Sequence, residues 1–162
     1  MIQTDSLWVG SDRQFFALLT KVVFVTGFSR MVVERRWEAF RTAFADFSPE
    51  DVARFDEVAI ERLLSRESLI VRNARKVRAT VVNAAVCVEL VSRHGSLQDF
   101  SARTGKLGRV AASRVFRKTF SAVGDSASST LCNTLYGDSG FREASGDHID
   151  SRRFTPPEKR FL

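Results

Sequence analysis

Apolar residues recur at spacings of three and four along most of the chain, the repeat of a helix with one buried face. No stretch alternates apolar and polar residues as a half-buried strand would, so the pattern predicts an all-α protein, a compact helical bundle. A first helix is expected from Asp12, capped by Ser11, with Asp12 set against the positive end of the dipole and Phe15, Leu18, Leu19, Val22 and Val25 buried. It should stop at Thr26-Gly27-Phe28-Ser29, where Gly27 can take the left-handed conformation that other residues resist. Ser29 is expected to cap a second helix by accepting from its free amides, with Val33, Trp37, Phe40 and Phe44 as one core stripe. So short a turn brings Val22, Phe24, Gly27, Ser29 and Arg30 near one another.

Further starts and stops follow. At Ser48-Pro49-Glu50-Asp51 the serine can cap, the proline fits a first helical position that needs no donor, and the acids suit a first turn. Asp56 opens the next helix, burying Ile60, Leu63 and Leu64. A long helix is expected over about 73–93, with Val77, Val81, Ala84, Val88 and Val91 inward and Arg75 and Arg78 outward, closed by His94-Gly95. Another is expected over about 107–120, with Val110, Val115 and Phe116 as its apolar side. Ser121-Ala122-Val123-Gly124-Asp125-Ser126 then reads as a tight turn into a last helix that stops at Gly137. Such a hairpin presents backbone amides where the helix dipole favours an anion. Beyond Gly137 the chain is polar, carries two adjacent prolines and keeps no period, which divides it into a helical domain over 1–140 and an irregular tail over 141–162.

With 162 residues and 44% apolar content the chain can bury one core. It has no apolar run of about 18 residues to span a membrane, and no basic start followed by an apolar centre, so a cytoplasmic protein is expected. Cys87 and Cys132 are too few and too far apart for a disulfide framework or a paired-thiol metal site, and both are expected to be buried free thiols. No metal and no cofactor are expected, and neither is a membrane partner. The net charge of +6 and pI near 10.0 change the picture only once they are located. Up to Leu90 there are 13 basic and 12 acidic residues, and beyond it 12 and 7. Between Asp99 and Asp125 no acid occurs, while Arg103, Lys106, Arg109, Arg114, Arg117 and Lys118 all do, so the excess lies beside the hairpin and points to a phosphate-bearing partner.

The order VFVTGFSR, WEAFRTAFADFSPEDVA, IERLLSRESLIVRNARKVRATVVNAA and FSAVGDSAS resembles the DNA-3-methyladenine glycosylase I family of the helix-hairpin-helix DNA glycosylases, over roughly residues 12–140. The resemblance implies a helical fold that bends duplex DNA, flips an alkylated base out of the stack and cleaves its glycosidic bond. It puts the base pocket at Val22, Phe24, Gly27, Ser29 and Arg30. It puts the DNA contacts at Arg114, Arg117, Lys118, Ser121, Val123, Gly124 and Ser126, where hairpin amides hold a phosphate. Aligned on Gly27-Phe28-Ser29-Arg30, the position of the family's base-contacting glutamate is Val22 and that of its tryptophan is Arg30, so the catalytic residue is not assigned. Asp147-His148 resembles the family's Asp-His pair with a zinc-ligand histidine, but no cysteine follows it. Asp138 and Asp147 lie downstream of the hairpin, where related glycosylases carry an aspartate.

Three readings follow. The first is a base-excision glycosylase acting as a monomer on duplex DNA with an alkylated base. The second is a catalytically inactive protein that binds damaged or distorted DNA. The third is a helical domain whose basic run serves solubility alone.

Overall fold

The computed structural model describes residues 11–137, and those residues are helical with no strand among them. The tail over 141–162, with Asp138, Asp147 and His148, lies outside the described residues. Helix α1 (Asp12–Val25) is central, packing on α6 (Ala74–His94), α7 (Leu97–Gly105) and α9 (Asp125–Tyr136). Its start is capped as expected, Ser11 Oγ accepting from the Gln14 amide at 3.2 Å. Asp12 goes further and accepts from the Leu97 amide at 2.8 Å, tying the start of α1 to the start of α7.

After the Gly27 turn come α2 (Arg30–Arg35) and α3 (Trp37–Ala43), where one continuous helix was expected. Arg36 leaves helical geometry at φ −104°, ψ 10°, its amide bonding to Val33 O in a tightened last turn. The stripe survives the break. Val33, Phe40 and Phe44 are fully buried, Phe24 meets Phe40 edge-on at 4.7 Å, and Trp37 stacks on Phe47 at 5.0 Å. Ala45, Asp46 and Phe47 make a left-handed turn, φ 51°, 53° and 54°, which opposes the intrinsic preference of non-glycine residues. Arg13 donating to Asp46 O at 3.1 Å and Arg41 to Asp46 Oδ1 at 2.8 Å hold it from outside, and buried Phe47 holds it from inside.

Local caps set the next three elements: Ser48 and Pro49 start α4 (Pro49–Val52), Asp56 starts α5 (Glu57–Leu64), and Asn73 starts α6. Gly95, at φ 89°, ends α6. The inward face of α6 is Val77, Thr80, Asn83, Ala84, Cys87 and Leu90, so Val88 is exposed, contrary to the apolar pattern. Cys87 and Cys132 are buried free thiols, and burial raises the pKa of each.

Helix α7, which the pattern did not single out, is capped by Ser96 accepting from the Asp99 amide at 3.0 Å. The basic run is thereby divided, Arg103 on α7 and Arg109, Arg114, Arg117 and Lys118 on α8 (Arg109–Thr119), which starts two residues later than expected and leaves Val110 exposed. Gly105 lies against the Tyr136 ring: a Cβ there would stand 2.6 Å from Cε1 and 3.0 Å from Cδ1. The ring cannot swing away freely, because Tyr136 Oη donates to Ser101 O at 2.7 Å and the ring stacks on Phe116. Gly105→Ala is therefore expected to destabilise the fold by about 1–3 kcal/mol despite alanine's better helix propensity, read as a lower urea midpoint.

Candidate functional site

Gly27 adopts φ 82° and a Cβ there would meet nothing, so conformation alone asks for glycine at this turn. The turn is held from the far side of the chain. Lys76, in the first turn of α6, donates to Val23 O at 2.8 Å, to Phe24 O at 3.3 Å and to Thr26 O, satisfying carbonyls at the end of α1 that have no helical partner. Its ammonium also stands 4.9 Å over the exposed Phe28 ring. Burial of that ammonium, with Arg75 beside it, lowers the pKa of Lys76.

Between this turn and α9 is a cavity of about 180 Å³. Leu18, Lys21, Val22, Val25, Thr26, Gly27 and Arg30 line it from the α1 side, and Ser126, Thr130 and Thr134 from α9. Three of its hydroxyls are committed as donors to helix carbonyls: Thr26 to Val22 O at 2.8 Å, Thr130 to Ser126 O at 3.0 Å and Thr134 to Thr130 O at 2.9 Å. What these oxygens offer a ligand is lone pairs. The charged groups on the wall are Lys21, whose ammonium stands 5.1 Å from the Trp37 ring, and Arg30; among the described residues no carboxylate lines the cavity.

Of the residues expected in this pocket, Val22, Gly27 and Arg30 are on its wall. Phe24 is not: two residues beyond Val22 it lies roughly 200° around the helix, fully buried against Phe40 and Phe44. Ser29 is exposed and precedes α2 without a side-chain cap bond; its carbonyl, not its hydroxyl, meets the Val32 and Val33 amides. The pattern missed Thr130 and Thr134, whose spacing from Ser126 puts all three on one face of α9.

The hairpin begins at the C-cap Phe120 of α8 and turns through Ala122 at φ 58°. Asn83, buried on α6, clasps it: Nδ2 donates to Ser121 O at 3.0 Å and Oδ1 accepts from the Ser121 amide at 2.7 Å. The Ser121 backbone is thus used within the protein, which leaves its half-buried side chain as the group it presents at the turn. Val123 anchors the turn by its buried side chain. Gly124 is exposed, at an ordinary φ of −96°, and caps α9 without any side-chain bond, so the first amides of α9 have no acceptor in the helix. Asn83→Ala would strand both Ser121 groups and is expected to cost about 2–4 kcal/mol in urea unfolding.

Arg114, Arg117 and Lys118 are exposed on α8. Arg117 pairs with Asp125, while Arg109 is turned to Asn133 and to Gly137 O at 3.5 Å, supporting the end of α9. Beside the hairpin a groove of about 420 Å³ runs past Gly124, Arg117, Arg75 and Lys76 to Asn73. Ser126 joins the two features, since it stands in the first turn of α9 and on the cavity wall.

The methyladenine glycosylase family model matches residues 5–142. Among solved structures, a 3-methyladenine DNA glycosylase I superposes with a TM-score of 0.67 at 21% identity, covering 86% of this chain and 85% of its own. A tyrosine-to-phenylalanine variant of 3-methyladenine DNA glycosylase I in complex with 3-methyladenine gives 0.68 at 21% identity, over 83% and 80%. The enzyme from Staphylococcus aureus gives 0.67 at 20% identity, over 94% and 85%. These likenesses establish the shared helical fold.

Proposed function

The chain belongs to the methyladenine glycosylase family, and on that premise we propose that it is a DNA-3-methyladenine glycosylase of base excision repair, hydrolysing the N-glycosidic bond of an alkylated base flipped out of duplex DNA. The observation that carries the reading is the position of Ser126. A phosphate held by the free amides of α9 and a base seated in the cavity beside the Gly27 turn would share one helix, within reach of a single extruded stretch of backbone. The small cavity suits one base and is well below the roughly 300–1,000 Å³ of drug-sized sites.

Chemistry at such a site asks little of the protein. An N3-alkylated adenine is already cationic, so as water adds to C1′ the breaking bond returns its electron pair to the ring and the base leaves neutral, with no proton supplied to it. The proton lost by the water passes to solvent. What the residues contribute is extrusion and orientation: Val22, Leu18 and Val25 form an apolar wall, the α9 hydroxyls accept from the exocyclic amine, and the Arg30 guanidinium offers a plane on which a base can stack.

Purified protein is expected to release free 3-methyladenine from methylated duplex DNA faster than the spontaneous loss, measured by chromatography of the released base. Release no faster than in buffer refutes the enzyme reading. The second reading, binding without chemistry, rests on the cavity wall carrying two cations and no carboxylate. It predicts tight binding to DNA holding an abasic-site analogue and no released base.

A further inference from the structure

A second cluster of positive charge lies away from the hairpin. Arg35 and Arg36, at the end of α2, and Arg66 and Arg72, on the loop from α5 to α6, line one cleft of about 460 Å³ over the exposed Leu69. All four arginines are exposed, and among the described residues no acid lines the cleft. Glu34, Glu38 and Glu67 are neighbours in sequence, but Glu38 pairs with Arg41. Among the described residues the ion pairs belong to other arginines: Asp46 takes Arg13 and Arg41, Glu57 takes Arg78, Glu89 takes Arg93 and Asp125 takes Arg117.

Four guanidiniums line one cleft, and among the described residues none of them forms an ion pair. The backbone that carries two of them is held in place. Arg72 stands between the buried Val71 and the helix cap Asn73, whose amide bonds to Val71 O at 3.0 Å, and the turn carrying Arg66 is closed by the Ser68 amide on Ser65 O at 3.2 Å. Among the described residues no aromatic side chain lines the cleft to stack a base, whereas guanidinium forks match phosphate oxygens. The cleft also adjoins the hairpin groove in the chain itself, because Arg72 lines one and Asn73 the other. Arg72 on the cleft is thus followed within four residues by Arg75 and Lys76 on the hairpin groove.

We propose that the cleft of Arg35, Arg36, Arg66 and Arg72 is a second phosphate-binding site, holding the backbone of duplex DNA that flanks the segment seated on the hairpin. It rests on the DNA-binding part of the reading above and is independent of base release. The test measures binding by fluorescence anisotropy across a salt series, on a duplex longer than two helical turns with a central abasic-site analogue. Replacing all four arginines by alanine is expected to reduce the slope of log affinity against log salt by about three to four, while replacing all four by lysine restores it. If the alanine variant melts early by circular dichroism, Arg66→Gln with Arg72→Gln carries the test, its slope falling by about two. An alanine slope within one of wild type, or a lysine variant as weak as the alanine one, overturns the proposal. Since binding is read without chemistry, a wild-type protein that releases no base leaves this result intact, and an unchanged slope leaves base release standing.

Discussion

Gly124→Glu is expected to weaken DNA binding by about a hundredfold or more at moderate salt while the protein keeps its helical content and melts within a few degrees of wild type. The two halves of that result have separate causes. Folding tolerates the change because a Cβ at Gly124 meets nothing, φ is −96°, and the position is exposed with no bond of its own to lose beyond a weak glycine cap. Binding does not tolerate it, because the new carboxylate stands over the free amides of α9 and takes the place of the phosphate. It also repels the rest of the backbone, where charge-assisted bonds are worth about 1.5–3 kcal/mol each and like-charge contacts cost several kcal/mol. Asp125 already stands there, but Arg117 neutralises it, and no described cation pairs with a residue at 124. Anisotropy with the abasic duplex and a thermal melt on the same sample check both halves. Unchanged affinity would remove the hairpin from the DNA interface.

The features legible in the sequence were those set by neighbours a few residues apart. The caps at Ser11 and Ser48, the helix start at Asp56, the left-handed Gly27 and the stop at Gly95 each depend on a local backbone need that one residue type meets, and each is where the pattern put it. The break at Arg36 carries no proline or glycine; across it Trp37 stacks on Phe47, and that partner lies beyond any helical period. The buried face of α6 includes Thr80 and Asn83, which an apolar count passes over, and Asn83 is there for Ser121, 38 residues on. The cavity wall was half legible for the same reason: Val22, Gly27 and Arg30 belong to one turn, while Thr130 and Thr134 reach it only through the packing of α9 on α1. The arginine cleft was hidden by charge bookkeeping along the chain. A near-zero balance up to Leu90 says nothing about which acids meet which bases, and in space Asp46 meets Arg13 and Arg41 while Glu57 meets Arg78.

Val22→Glu is expected to raise the rate of 3-methyladenine release by about tenfold to a hundredfold, the effect of one hydrogen bond or ion contact to a charged group at about 1.5–3 kcal/mol. Val22 is 5% exposed and on the cavity wall, so a glutamate there would aim its carboxylate at the ligand with the apolar Leu18 and Val25 one turn away. The wild-type wall holds Lys21 and Arg30, so a cationic base enters against positive charge and is retained by shape and by hydroxyl lone pairs. A carboxylate reverses the sign of that field where the base is most positive, and it stabilises the cationic ground state as well as the transition state in which the charge disperses. The gain should therefore appear mainly in kcat/KM at low DNA concentration and less in the rate at saturation, a split that single-turnover and multiple-turnover release measure directly. Lys21 and Arg30 also offer the new carboxylate intramolecular partners, which limits the gain; Val22→Glu with Arg30→Ala should exceed Val22→Glu alone. A Val22→Glu protein no faster than wild type would mean that the cavity between the Gly27 turn and α9 is not where the base sits.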